Sequence, residues 1–405
     1  MTPLAPNRAS PIGLTLFLCL FAGQAAVIAI TPLLAEVASD FDVSTATAGQ
    51  LRSVSGFAAG LAAVAMGSLV SRVGLRDLLV LGLGILAAGS LLSAAAPTFA
   101  VLVAAQVAVG AGLAVVLSGG VAAAAAWSAD AERARVLSWT LVGQPGAWIV
   151  GMPVIGVLGG ASWRLAWLAV PFAASLLALL AVATRPADQP TESGTGTLQL
   201  LRQNRAVAGW ALGELLAFSA WAGTLVFAGA LFVESYDASP AAAGLVLGLA
   251  AVAYLPGNFL ARRWTGAAGR LALVVLPIVS AGLVAVFGGY RPALWASGLL
   301  LGLLAFAGGA RTIVGSAYGL EVCARRRVLA MRLRAAASQF GYLVGAVAGG
   351  VALAAGGYGA LGLAFATLFA LAALPHIVSL VRGSAPPAAR AADEELLQVA
   401  EIAAC

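Results

Sequence analysis

Gly67-Ser68-Leu69-Val70-Ser71-Arg72-Val73-Gly74-Leu75-Arg76-Asp77 wedges a basic, glycine-marked turn between two long apolar runs. Arg72 and Arg76 cannot sit unpaired at bilayer depth, where an isolated charge costs about 2.5–3.5 kcal/mol even on a lenient insertion scale. The turn therefore marks where one spanning helix leaves the membrane and the next enters it. Its positive charge marks the cytoplasmic face.

The sequence around this turn is that of a polytopic membrane protein. Of 405 residues, 61% are hydrophobic and only 9% charged, with a mean hydropathy of +1.00, against about 25% charged in soluble domains. Apolar runs at 12–34, 46–70, 77–96, 99–122, 137–160 and 165–183 predict six spans in the first half. Runs at 206–230, 241–261, 271–289, 293–316, 335–355 and 359–381 predict six more, each near the ~20 residues a crossing needs. The first run is too long for the core of a cleaved signal peptide. The expected organisation is an amino-terminal bundle over 1–183, a polar cytoplasmic linker over 184–204, a carboxy-terminal bundle over 205–381 and a cytoplasmic tail over 382–405.

The net charge of +6 does not point to nucleic acid, because the basic residues lie in short turns and form no groove. All 22 basic residues are arginine. Without lysine the chain has neither a phosphate-loop lysine for ATP nor a lysine for Schiff-base chemistry. Cys19, Cys323 and Cys405 show no disulfide or metal spacing. No cofactor and no metal are expected, and no nucleophile–base arrangement suggests an enzyme.

With the amino terminus inside, 18 arginines fall on the cytoplasmic side, Arg334 among them, and only Arg164 and Arg291 fall outside. This asymmetry sets the orientation, with both termini cytoplasmic and an even number of spans. The halves also repeat. Gly67 and Arg72 recur as Gly257 and Arg262 at an offset of 190 residues, as two related bundles around a midplane site would require.

Gly67, Leu69, Arg72, Gly74 and Arg76 resemble the loop between the second and third helices of the major facilitator superfamily, G-x-L-x-D-R-x-G-R-[KR]. Ser71 replaces the family's aspartate, and Leu75 the arginine after the second glycine. The resemblance implies an all-α membrane fold of twelve transmembrane helices in two pseudo-symmetric six-helix bundles around a central cavity. It also implies alternating access for a small-molecule substrate. In the fifth span, Gly143, Pro145, Gly151 and Pro153 resemble the glycine–proline motif of that family's proton-driven exporters, with the proline displaced by one position. Close helix packing is the other reading of these small residues.

The same resemblance places spans 1, 4, 7 and 10 around the cavity, and each carries a polar group: Gln24, Gln106, Glu214 and Arg311. Glu214 and Arg311 lie at similar depths, about 12 Å and 8–12 Å from the cytoplasmic ends of their spans at ~1.5 Å per residue. Opposite charges in hydrocarbon should find each other, so an ion pair is expected, serving either transport or structure. Trp210, Glu214, Phe218 and Trp221 share one helical stripe. An acid among aromatic rings suits a lipophilic cation, although the stripe equally suits packing.

Gln106 stands where the resembling exporters carry an arginine for proton coupling, and glutamine cannot ionise. Glu36 and Arg52 flank the outer mouth, as a gate pair or an ordinary interfacial bridge. Asp77, Asp130 and Glu132 lie among Arg72, Arg76, Arg133 and Arg135 as a cytoplasmic latch. The lone His376 reads as interfacial.

The resemblance, with these residues, implies a monomeric secondary transporter of the drug:proton antiporter type in a bacterial cytoplasmic membrane. It exports a small organic solute, with protons as the exchange partner and the lipid bilayer as its surroundings. Import or uniport of a sugar or organic acid is the alternative.

Overall fold

Proline sets the breaks in the helices, because it lacks the N–H that the carbonyl four residues earlier would accept. The first helix runs Pro11–Ile28 and resumes as Ile30–Asp40, breaking four residues before Pro32. Trp163–Trp167 ends four residues before Pro171, and Pro240–Val252 ends four before Pro256. Between Pro145 and Pro153 the fifth helix widens to a π turn, Ala147–Gly151, and a second, Leu168–Phe172, contains Pro171. Such turns absorb a missing bond without ending the helix.

The computed structural model describes residues 11–69, 73–186, 204–323 and 327–381. In chain order, α1 is Pro11–Ile28 with Ile30–Asp40, α2 Thr45–Leu69, α3 Leu75–Ala95 and α4 Phe99–Ala126. α5 is Asp130–Gly146 continuing through Ala147–Gly151 to Met152–Gly159, and α6 runs from Trp163–Trp167 through Leu168–Phe172 to Ala173–Ala183. The second half comprises α7 Arg205–Tyr236, α8 Pro240–Val252 with Tyr254–Ala261, α9 Gly266–Gly289 and α10 Leu294–Val322. α11 and α12 are the two arms of Arg327–Val381, which breaks at Gly356 and Gly357. Gly357 has φ +65°, a conformation that favours glycine.

Among the described residues ten segments are long and apolar enough to cross a membrane. They are α1, α3 to α10, and α11 with α12 taken as one. With α2, a 25-residue helix packed among them, and with α11 and α12 taken separately, the described residues form about twelve helices. Several extend past the predicted spans: α5 begins at Asp130 and not 137, α10 reaches Val322 and not 316, and α11 starts at Arg327 and not 335. Arginine, alanine and leucine are good helix formers, so the helix continues where the apolar run stops. Arg72, most of the 184–204 linker and the 382–405 tail lie outside the described residues.

Three apolar clusters define how the halves sit. One joins both halves, combining Leu33, Leu34 and Leu51 with Phe227, Leu231 and Phe365. The second belongs to the first half alone, around Leu20, Leu79 and Val116, and the third to the second half alone, around Trp210, Leu273 and Val314. The two separate clusters lie towards the Gly74 end of the molecule. The halves therefore share a core at the far end and keep their own cores at the Gly74 end.

Small residues make the shared core possible. In the α2–α11 seam, a Cβ on Gly56 would lie 3.0 Å from Leu343 N and one on Gly60 2.7 Å from Phe340. Gln50 Nε2 of α2 donates to Ala346 O of α11 at 2.9 Å. In the α5–α8 seam, a Cβ on Gly244 would lie 2.6 Å from Met152 O and one on Gly248 2.7 Å from Pro153 Cγ. At the far end Thr45 hydrogen-bonds Glu234, whose other oxygen accepts from Tyr358 at 2.9 Å.

Candidate functional site

The second half holds a buried charge cluster. α7 carries Glu214, whose side chain is 0% exposed, and α10 carries Arg311, whose Nη2 lies 3.0 Å from Glu214 Oε1. Arg311 Nη2 also donates to Gly213 O at 2.9 Å. Gly315 permits the approach of α10, since a Cβ there would run into Glu214 Oε1. These contacts unite the two charges expected to meet.

A third member was not foreseen. Arg334 of α11 places Nε 3.1 Å from Glu214 Oε2, so the carboxylate stands between two guanidiniums. Sequence reasoning had counted Arg334 among the cytoplasmic turn charges. It lies instead two turns inside α11, because that helix begins eight residues before the apolar run. Its signal was a shared helical face: Arg334, Gly341 and Gly345 are spaced by seven and four. A Cβ on Gly341 would lie 2.8 Å from Phe218 Cβ, and one on Gly345 2.8 Å from Gly223 N, so this face packs on α7.

Neither contact to Glu214 has the alignment of a hydrogen bond. Both carboxylate oxygens, Arg311 Nε and Arg334 Nε and Nη2 are buried with no hydrogen-bond partner among the described residues. The Arg334 guanidinium lies 5.2 Å from the centroid of the Phe218 ring. On α8, Tyr254 donates to Thr312 Oγ1 of α10 at 2.8 Å. His376 of α12 is 4% exposed, with its ring edge-on to Tyr318. This histidine, five residues from the end of α12, is packed inside the protein against Gly213, beside the carbonyl that holds Arg311.

The aromatic stripe divides. Trp210 is buried, and its indole donates to Gly315 O at 2.9 Å, so it fastens α7 to α10 and offers no platform to a ligand. Phe218 and Trp221 are half-buried, Trp221 lying against Gly308 of α10. With one ring sealed and another under a guanidinium, the geometry gives little support to a cation held between aromatic faces.

At Gln24 and Gln106 the first half places neutral polar groups, not charges, on the expected cavity helices α1 and α4. Gln106 donates to Ser93 Oγ of α3 at 3.0 Å, so it ties α4 to α3 inside the bundle. Gln24 accepts from Gln144 at 3.5 Å, linking α1 to α5. The helix 5 motif has a packing role in this state. Gly143 lies so close to the α1 backbone that a Cβ would meet Phe21 N at 2.9 Å, and Gly151 faces Phe21, while Pro153 contacts Gly248 of α8. Pro145 lies inside Asp130–Gly146, one residue before its end.

The expected Glu36–Arg52 pair is not formed. Arg52 is 2% exposed, donates to Ser55 Oγ at 2.9 Å and lies 3.7 Å from the centre of the Tyr342 ring of α11. Glu36 Oε2 is buried with no hydrogen-bond partner among the described residues. The α2–α11 seam draws the arginine into its cation–π contact and away from α1.

At the Gly74 end, Gly74 precedes the first turn of α3 in extended conformation. Arg76 bonds Asp77 at 2.7 Å and the Ala183 carbonyl at the end of α6 at 2.8 Å, where a cation complements the helix dipole. Arg135 pairs with Glu132, and Arg133 donates to Ala125 O at 3.2 Å. These latch contacts all stay within the first half. Gly67 lies in the last turn of α2.

A family model described as the Major Facilitator Superfamily matches residues 16–226. No curated protein matches the sequence. Among solved structures, a bacterial homologue of the human lysosomal transporter Spinster, inward-facing and unoccupied, is 16% identical. It has a TM-score of 0.73, covering 91% of this chain and 93% of that one. The nucleoside transporter NupG is 16% identical with a TM-score of 0.71, covering 91% and 99%. A D-xylose-proton symporter is 17% identical with a TM-score of 0.68, covering 90% and 96%. At these identities the likeness is one of fold.

Proposed function

Because the chain belongs to the Major Facilitator Superfamily, a family of membrane transporters and not of enzymes, we propose that it moves a small organic solute by alternating access around Glu214, Arg311 and Arg334. The observation that carries this reading is the carboxylate held between guanidiniums of two other helices. Among the described carboxylates Glu214 alone lies more than two turns from the end of its helix. A charge so placed is a functional group by default. All three side chains belong to the second half, so the triad moves as one with that bundle while rocking of the first half against it covers and uncovers the site.

We assign the Gly74 end to the cytoplasm of a bacterial inner membrane, with both termini on that side, on the arginine asymmetry of the turns. In the present state the far end is then closed and the solute pathway opens inward. Export in exchange for protons is our reading of direction, supported by the helix 5 motif and by a carboxylate at depth. A second reading, import or uniport of an organic acid, is favoured by the second guanidinium.

The test is transport by purified protein in proteoliposomes with an imposed proton gradient. Solute moving against the proton flow supports exchange, movement with it supports the second reading, and flux indifferent to the gradient removes proton coupling. Glu214→Gln should abolish gradient-driven transport while the variant still folds. Unchanged transport by that variant excludes the triad from the mechanism.

A further inference from the structure

The charge balance of this site selects among solutes. Within the triad one carboxylate faces two guanidiniums, and neither arginine pairs with any other carboxylate among the described residues. Among the described residues the surrounding helices supply no further acid: α8 brings Tyr254, bonded to Thr312, α12 brings His376, and α11 brings Tyr342 beneath Arg52. The site thus carries an uncompensated positive charge in a low-dielectric setting, where such an excess is costly.

Hydrogen bonding points the same way. Arg334 Nη2 is buried and donates to nothing among the described residues, and Arg311 Nε does the same. Both Glu214 oxygens are unbonded as well, but three guanidinium nitrogens stand against one carboxylate; buried donors are normally satisfied, and the surplus here is of donors. A guanidinium matches a carboxylate or phosphate by its planar fork. Arg334 is the more open arginine, its side chain 17% exposed against 6% for Arg311. Half-buried Phe218 and Trp221 lie one and two turns along α7 from Glu214 and offer an apolar wall beside it.

The geometry points to an organic oxyanion as the solute: a carboxylate or phosphate-type head received by Arg334, with an apolar or aromatic body against Phe218 and Trp221. This rests on the transport reading above and deepens it. The head competes with Glu214 for Arg334, so Glu214 is a counter-ion that holds the arginine until the solute arrives. A cation would meet two like charges, and a neutral sugar would leave the excess charge unmatched.

The experiment is thermal stabilisation of the detergent-purified full chain, because a bound ligand raises the melting point by mass action. The probes are benzoate and phenyl phosphate, with tetraphenylphosphonium and glucose as the cationic and neutral counterparts. The expected result is stabilisation by the oxyanions alone. Glu214→Gln should tighten oxyanion binding about tenfold, since it removes a nearby repelling charge. Arg334→Gln should abolish the binding, and Arg334→Lys, which keeps the charge and loses the fork, should weaken it about tenfold.

Absence of stabilisation by both oxyanions overturns the inference, as does equal stabilisation of wild type and Arg334→Gln. Stabilisation by tetraphenylphosphonium that is lost in Glu214→Gln overturns it in favour of a cation. The two readings fail separately. A neutral or cationic probe that binds and crosses liposomes leaves transport standing without the oxyanion, whereas oxyanion binding without any flux removes transport alone.

Discussion

Glu214 makes its closest polar contacts with charges and not with neutral donors. A buried ion pair is weak evidence for stability, because desolvation offsets much of the attraction, but removing one partner is strongly destabilising. Arg311→Ala should therefore lower unfolding stability by about 3 kcal/mol. Adding Glu214→Gln should restore part of it, with a coupling of about 1–3 kcal/mol in the double-mutant cycle. Chemical denaturation of the four proteins measures this, and additive effects would show that the pair is not coupled. Gly315→Ala tests geometry without touching a charge, since its Cβ would displace Glu214 Oε1. Transport should fall about tenfold or more, as misplacing a positioned group does, while the melting point falls less than in Arg311→Ala, because both charges remain to compensate each other. Glu214 and Arg311 were legible in the sequence because each interrupts an otherwise apolar span. Arg334 was not, because it stands among the arginines of a turn, and only the glycines seven and eleven residues further on mark its helical face.

At the scale of the element, prolines and glycines were legible as packing and bending residues. What they left open was which neighbour each small residue would meet. The structure pairs Gly56 with α11 and Gly244 with α5 across the halves, while Gly143 serves α1 inside its own half. A repeat explains part of this arrangement. Asp42-Val43-Ser44-Thr45-Ala46-Thr47-Ala48-Gly49 and Asp237-Ala238-Ser239-Pro240-Ala241-Ala242-Ala243-Gly244 agree at D-x-S-x-A-x-A-G. Asp42 and Asp237 both take φ 50°. Ser44 and Ser239 each accept from the backbone N–H three residues on, at 3.1 and 3.2 Å, capping α2 and α8. Both helices thus start alike at the far end, and each leads into a seam between the halves. Gly56→Val should open the α2–α11 seam, because its side chain has no room beside Leu343 and Tyr342. Spin labels at Thr47 and Gly359 would then stand farther apart than in the parent, and an unchanged distance would show that this glycine does not control closure.

At the scale of the whole molecule, one core shared at the far end and two separate cores at the Gly74 end make a wedge. The repeat of Gly67 and Arg72 leads to the expectation of two bundles, but which end of the molecule is closed depends on packing between distant segments, to which composition is blind. Packed interfaces tend to be bistable and not continuously deformable, so prising the far seam apart should draw the Gly74 ends together. In the Gly56→Val protein, labels at Asp77 of the first half and Arg263 of the second should approach each other as the Thr47–Gly359 pair separates. Both positions are exposed in the present state, so labelling them disturbs no core. Opposite changes at the two ends are what rocking around a central site requires. Widening at both ends would mean that the substitution only loosens the halves, and the Glu214 triad would then face both ends at once, which coupled transport cannot tolerate.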